Sequence, residues 1–154
     1  MRPRVTIYCD GACSPNPGVG GWGALLISEG GRERELSGAE DEATNNRMEL
    51  LGAIMALRAL KRPCDVTLHT DSKYVQGGFT QGWLEKWQRN GWRTSAKKPV
   101  ENQDLWRELL ELSALHTVEW RWVPGHADCE GNNRCDALAV AARERRCDEL
   151  GARR

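Results

Sequence analysis

Residues Val5 to Cys13 alternate in hydrophobicity, the period of two that marks a β-strand. Pro15-Asn16-Pro17-Gly18 supplies a turn, and Gly21 to Ile27 predicts a second strand. After Glu29-Gly30-Gly31, the segment Arg32 to Ala39 predicts a polar third. The period then lengthens: within Asn45 to Leu60, Leu50, Ala53, Ile54, Leu57 and Leu60 fall at helical spacing, and Pro63 stops the helix. Val66 to Thr70 is a short buried strand, and Ser72 begins a helical stretch toward Gly77-Gly78. Aromatic and basic residues interleave from Gln81 to Trp92, a loop crosses Ser95 to Pro99, and Gln103 to Leu112 predicts another helix. Thr117 to Val123 is a strand, Pro124 to Asp128 a loop, and a final helix runs to about Arg145. This order predicts one α/β domain with a five-stranded mixed sheet flanked by helices and a core over about 4–146. The tail from about 147 to 154 is expected to be flexible. Strand–helix–strand crossovers make the first, fourth and fifth strands parallel.

A chain of 154 residues with 40% hydrophobic and 29% charged positions suits a single globular domain. No apolar run nears the roughly 20 residues that span a bilayer, and no signal-peptide h-region follows Met1, so no membrane role and a cytoplasmic location are expected. With the candidate chemistry beginning at residue 10, a catalytic domain alone is expected. Net charge is zero, but its distribution is uneven. Residues 29–49 are acidic, whereas 80–99 hold Lys86, Arg89, Arg93, Lys97 and Lys98 against Glu85 alone, a local patch of the kind a polyanion needs. Six cysteines without a CxxC pair or secretion signal are expected to be reduced thiols; His126-x2-Cys129-x5-Cys135 is the nearest approach to zinc spacing.

Four acids stand where a carboxylate is chemically useful: Asp10 and Asp71 at strand ends, Glu49 near the start of the long helix, and Asp136 in the last helix. Converging on one cleft, they make the oxygen-rich cluster that hard divalent cations such as magnesium require. Each also has a structural explanation. Glu49 completes an Asn-x-x-Glu capping box with Asn46, Asp71 is a helix N-cap, Asp10-Gly11 a turn, and Asp136 a solvated helix residue.

The motifs around them resemble type 1 ribonuclease H. The resemblance is carried by Asp10-Gly11-Ala12-Cys13 with Asn16-Pro17-Gly18, by Thr44-Asn45-Asn46-Arg47-Met48-Glu49-Leu50, and by Thr70-Asp71-Ser72. It continues through Trp83-x3-Trp87-x4-Trp92, Lys97-Lys98-Pro99-Val100 with Asn102, and Gly125-His126-Ala127 with Asn132-x-Arg134-Cys135-Asp136. Six motifs in register from residue 5 to about 142 imply a ribonuclease H-like fold. They also imply an endoribonuclease that cleaves the RNA strand of RNA–DNA hybrids and leaves 5′-phosphate and 3′-hydroxyl ends. The resemblance assigns two Mg2+ ions, with Mn2+ as a substitute, to Asp10, Glu49, Asp71 and Asp136. One ion would activate water and the other steady the departing oxygen, ~3.5–4 Å apart. His126 would assist proton transfer or product release.

For the substrate, the resemblance implies that Asn16, Asn45 and Asn46 face the minor groove, where the 2′-hydroxyl marks RNA, with backbone groups around Cys13 and Glu49 beside them. Thr44 and Asn102 would bind a DNA-strand phosphate, and Trp83, Trp87 and Trp92 would grip the DNA. A monomer without an obligate protein partner is expected. Trp83 and Trp87, four apart, would equally suit a core, whereas the bases around Trp92 favour binding. Trp87-Gln88-Arg89-Asn90-Gly91-Trp92 is less basic than the family's best-known bacterial members, which implies weaker hybrid binding. A related resolvase-like nuclease and a non-catalytic hybrid binder are the competing readings. Thr44-Asn45-Asn46 argues against the first, and four retained carboxylates facing a polyanion argue against the second.

Overall fold

Strand β1 (Arg4–Cys13) lies at the centre of a five-stranded sheet, in a computed structural model that describes residues 2–123 and 129–152. On one side it pairs antiparallel with β2 (Gly18–Ser28), which pairs antiparallel with β3 (Glu33–Ala43). On the other it pairs parallel with β4 (Asp65–Thr70), followed by parallel β5 (Thr117–Trp122), giving the order β3-β2-β1-β4-β5. The expected mixed sheet with β1, β4 and β5 parallel is the one observed.

Helix α1 (Asn45–Arg58) packs on β1 and β2, and α5 (Glu130–Ala152) packs against β1, β2 and β3. They occupy opposite faces, because Cys9 meets α1 at Gly52 while the next residue back, Tyr8, lies against Gly131 of α5. Covered from both sides, β2 is buried along most of its length and loses the alternation a half-exposed strand would show. Leu50, Ala53, Ile54 and Leu57 of α1 are fully buried, as their spacing predicts. Helices α2 (Lys73–Thr80), α3 (Trp83–Asn90) and α4 (Gln103–Leu115) complete that layer. Its aromatic centre is Trp106, fully buried between Tyr74, Phe79 and Trp87, with ring centroids 5.2, 6.4 and 5.5 Å away. The two remaining histidines are structural: His69 stacks on Tyr8, and His116 Nδ1 accepts from Cys64 N at 3.0 Å.

Several element ends differ from the sequence expectation; among C-terminal ends, those of β3, α4 and α5 differ most. Strand β3 continues to Ala43 and α4 to Leu115. Helix α5 continues through Ala152, so the segment expected to be a flexible tail is helical to that point. Ion pairs tie α5 to β3: Arg134 near its start spans Glu33 and Glu35, and Arg146, just before that segment, binds Asp41.

Candidate active site

The site grows from the C-terminal ends of β1 and β4. Asp10 lies within β1, opposite Gly23 of β2, and is 5% exposed. Asp71 follows the last residue of β4, and the parallel pairing of the two strands brings the acids together. Glu49 arrives from α1 because Gly11 has no side chain: a Cβ there would stand 2.6 Å from the Met48 carbonyl carbon and 2.7 Å from Glu49 N. Carboxylate oxygens of Asp10, Glu49 and Asp71 lie within 4.8 Å of one another.

The capping explanations for Glu49 and Asp71 fail. Thr44, not Asn46, caps α1, its hydroxyl accepting from Arg47 N at 3.1 Å, so Glu49 belongs to no capping box. Ser72 caps α2, accepting from Val75 N at 3.1 Å, and leaves Asp71 uncommitted. Glu49 Oε2 and Asp71 Oδ1 are buried without a hydrogen-bond partner among the described residues. Orphaned buried acceptors are costly in protein and are what a bound cation satisfies. The donor set, all carboxylate oxygen, suits a hard divalent ion rather than zinc.

Asp136 occupies a different position. It is exposed on α5, outside the tight trio, yet its negative charge contributes to raising the Asp10 and Glu49 carboxyls. Gly23 sets its approach, since a Cβ there would lie 2.5 Å from the Cys135 carbonyl oxygen. Burial, then the Asp71 charge, push Asp10 up to about 8, against the opposing hydrogen bond from Gly11 N at 2.9 Å. Burial, then Asp10, hold Glu49 well above the usual carboxylate range. Raised carboxyls on Asp10 and Glu49 are what crowding of like charges in a half-buried cluster produces, and a divalent cation would relieve it. His126 lies outside the described residues.

The substrate candidates divide into three surfaces. Asn16, Asn45 and Asn46 are exposed, and Asn16 Oδ1 accepts from Asn45 N at 3.3 Å, tying the β1–β2 turn to the start of α1, the helix that carries Glu49. The Cys13 side chain turns inward, with its thiol on the carbonyls of Pro15, Gly18 and Ala43. Thr44 and Asn102 share a pocket of about 480 Å³ with Arg47, Glu42, Pro17 and Gly18. Arg47, which sequence reasoning left without a role, organises it by pairing with Glu40 and Asp104 and donating to Asn102 Oδ1 at 3.5 Å. The signal was Arg47's place inside the Thr44–Leu50 motif, but its acidic partners are far apart in sequence.

Trp83 and Trp87 are half-buried and line a groove of about 530 Å³ with Tyr74, Lys86 and Lys98. Trp92, expected to bind the DNA with the bases around it, lies largely inside. It is 8% exposed, beside Trp87 and beneath the Arg107 guanidinium, so it supports the groove from within. The six cysteines are free, and burial raises the Cys9 thiol well above its ordinary value and Cys135 to about 12. Neither makes a ready thiolate ligand.

Comparison with known proteins agrees with this geometry. The RNase H family matches residues 2–144. The chain is 62% identical over 139 residues to a ribonuclease H of Moorella thermoacetica, covering 90% of this chain and 91% of that one. It is 59% identical over 142 residues to a ribonuclease H of Chlorobium luteolum, covering 92% and 97%. Among solved structures it resembles LC9-RNase H1, described as a type 1 RNase H with the type 2 active-site motif. That similarity has a TM-score of 0.83 and 34% identity and covers 94% of this chain and 74% of that one. The chain therefore belongs to the ribonuclease H family of endoribonucleases, and to its type 1 branch.

Proposed function

We propose that this protein hydrolyses the RNA strand of RNA–DNA hybrids, using Mg2+ held by Asp10, Glu49, Asp71 and Asp136, with Mn2+ as a substitute. The observation that carries the reading is the close trio of carboxylates, Asp10 buried and Glu49 and Asp71 half-buried, with orphaned oxygens on Glu49 and Asp71. When bound, two such ions supply an activated water for in-line attack and charge stabilisation for the departing 3′-oxygen. Asp10, on the central strand, would hold metal together with Glu49 and Asp71. The protein's remaining task is to present one strand of the right chemistry. Asn16, Asn45 and Asn46 hold the minor groove where 2′-hydroxyls distinguish RNA. Backbone groups near Cys13 and Glu49 contact the same strand. Thr44 and Asn102, oriented by Arg47, take a DNA phosphate, and Trp83 and Trp87, backed by Trp92, receive the DNA strand. His126 moves a proton or helps product leave. Among the described residues no helix is long and apolar enough to cross a membrane, and our reading is a monomer acting in the cytoplasm.

The test uses end-labelled hybrid, RNA duplex and DNA duplex with and without Mg2+. RNA cut only in the hybrid, only with metal, leaving 5′-phosphates and abolished by Asp10→Asn, is the expected outcome. Cleavage of DNA duplex, or of hybrid in excess chelator, would refute the proposal.

A further inference from the structure

Asp71 is held differently from Asp10. The Asp10 carboxylate accepts a main-chain hydrogen bond from Gly11. Asp71 Oδ1 has no partner among the described residues, and its carboxyl meets Asp10, which repels it once both are ionised. A carboxyl whose side-chain neighbours are other acids takes its position from its backbone. That backbone is the short step between the end of β4 at Thr70 and the α2 cap at Ser72.

Three hydrogen bonds fix the step. Val123 N donates to Thr70 O at 2.8 Å, Ser72 N donates to Thr70 Oγ1 at 3.1 Å, and Trp122 Nε1 donates to Asp71 O at 3.2 Å. The last alone reaches Asp71 itself and comes from a side chain. Trp122 ends β5 in register with Thr70 and is 41% exposed, an unusual place for an indole whose value is burial. Its inner-face neighbour Trp120 stacks on Phe79 at 4.4 Å, whereas Trp122 has passed the edge of that core. Lys73, the first residue of α2, places Nζ 5.6 Å from the Trp122 ring centroid, within cation–π range, and so restrains the ring from the other side.

We propose that Trp122 is a positioning residue for the metal site, its indole N–H holding the Asp71 main chain so that the Asp71 carboxylate faces Asp10 and Glu49. The inference rests on the reading of Asp71 as a metal-holding carboxylate. Outer-shell partners of this kind are worth about 10-fold or more in metal affinity or activity when removed.

Two substitutions separate the donor from the ring. Trp122→Phe keeps an aromatic side chain and removes the N–H. Trp122→His loses the benzo ring but carries Nε2 at the place of the indole nitrogen. Mn2+ binding to the substrate-free protein, followed by the free-ion electron paramagnetic resonance signal, gives a readout independent of turnover. Trp122→Phe should weaken that binding about 10-fold and raise the half-saturating Mg2+ for cleavage by a similar factor. KM for the hybrid should hold, and the thermal midpoint should move by no more than about 4 °C. Trp122→His should lie near wild type in metal affinity. Unchanged metal dependence in Trp122→Phe, equal impairment of both variants, or a change confined to KM would overturn the inference. Asp71→Asn separates it from the site reading. An inactive Asp71→Asn beside a normal Trp122→Phe sinks the positioning role alone. An Asp71→Asn that cleaves with ordinary metal dependence sinks both.

Discussion

At Asp10, burial and negative neighbours act in the same direction, and the hydrogen bond from Gly11 does not offset them. The folded carboxyl holds its proton up to about 8, whereas the unfolded one releases it near its ordinary 3.8. The folded state therefore binds more protons between those values, and stability falls as pH rises through that window. Glu49 is displaced the same way, so the two reinforce each other. With chelator present, unfolding free energy should drop by a few kcal/mol between pH 5 and pH 8, since each pKa unit is worth about 1.4 kcal/mol. Asp10→Asn should flatten that slope and be more stable than wild type at pH 8, while losing cleavage. Saturating Mg2+ should flatten the wild-type slope as well. Urea unfolding at both pH values measures all three, and a wild-type protein equally stable at pH 5 and 8 without metal would contradict the account.

At the element scale, two glycines set where the acids stand. Gly11 lets α1 approach β1 at Met48–Glu49, and Gly23 lets α5 approach β2 at Cys135, one residue from Asp136. An alanine at either meets main-chain atoms of the helix, which cannot swing aside as a flexible side chain would. Gly11→Ala and Gly23→Ala should each cost about 1–3 kcal/mol by overpacking. Each should also reduce kcat, by up to about 100-fold if an acid shifts by 1 Å. Gly11→Ala should act through Glu49 and Gly23→Ala through Asp136. Paired stability and cleavage measurements check this; a variant that loses stability with full kcat would show the glycine serving packing alone. These contacts also mark what the chain disclosed. The alternation of β1, the helical spacing of α1 and the strand order were legible because they are local patterns or follow from crossover rules. The acids were legible through their place at strand ends and within motifs. The caps were not: Thr44 and Asn46, or Asp71 and Ser72, are near-equivalent cappers on paper, and only backbone geometry chooses. Strand β3 was drawn short because its stability comes from β2 and from α5 arginines about 100 positions away (Arg134 to Glu33, 101). The basic neighbours of Trp92 point to binding, but its burial, set by Trp87 and Arg107, is not legible from them.

Across the whole molecule a zero net charge conceals separated fields. The acids of β3 are largely engaged by arginines of α1 and α5: Glu33 and Glu35 by Arg134, Glu40 by Arg47, Asp41 by Arg146. The bases around α3 remain exposed and free to meet phosphates, with one exception. Arg89 pairs with Glu85 at 2.8 Å, one turn away on the same helix. That leaves Lys86, Arg93, Lys97 and Lys98 without an acidic partner among the described residues. If each neutralises one phosphate, the slope of log K against log salt is about −3.6, and shallower if fewer engage. Glu85→Gln should release Arg89 and steepen the slope by about 0.9 while tightening binding at low salt. The exposed pair itself contributes little to folding, so stability should stay within about 0.5 kcal/mol. Hybrid binding by catalytically silent Asp10→Asn, with and without Glu85→Gln, across a salt series tests the argument. A background slope far steeper than four contacts allow would mean that the hybrid is held by cations elsewhere on the molecule.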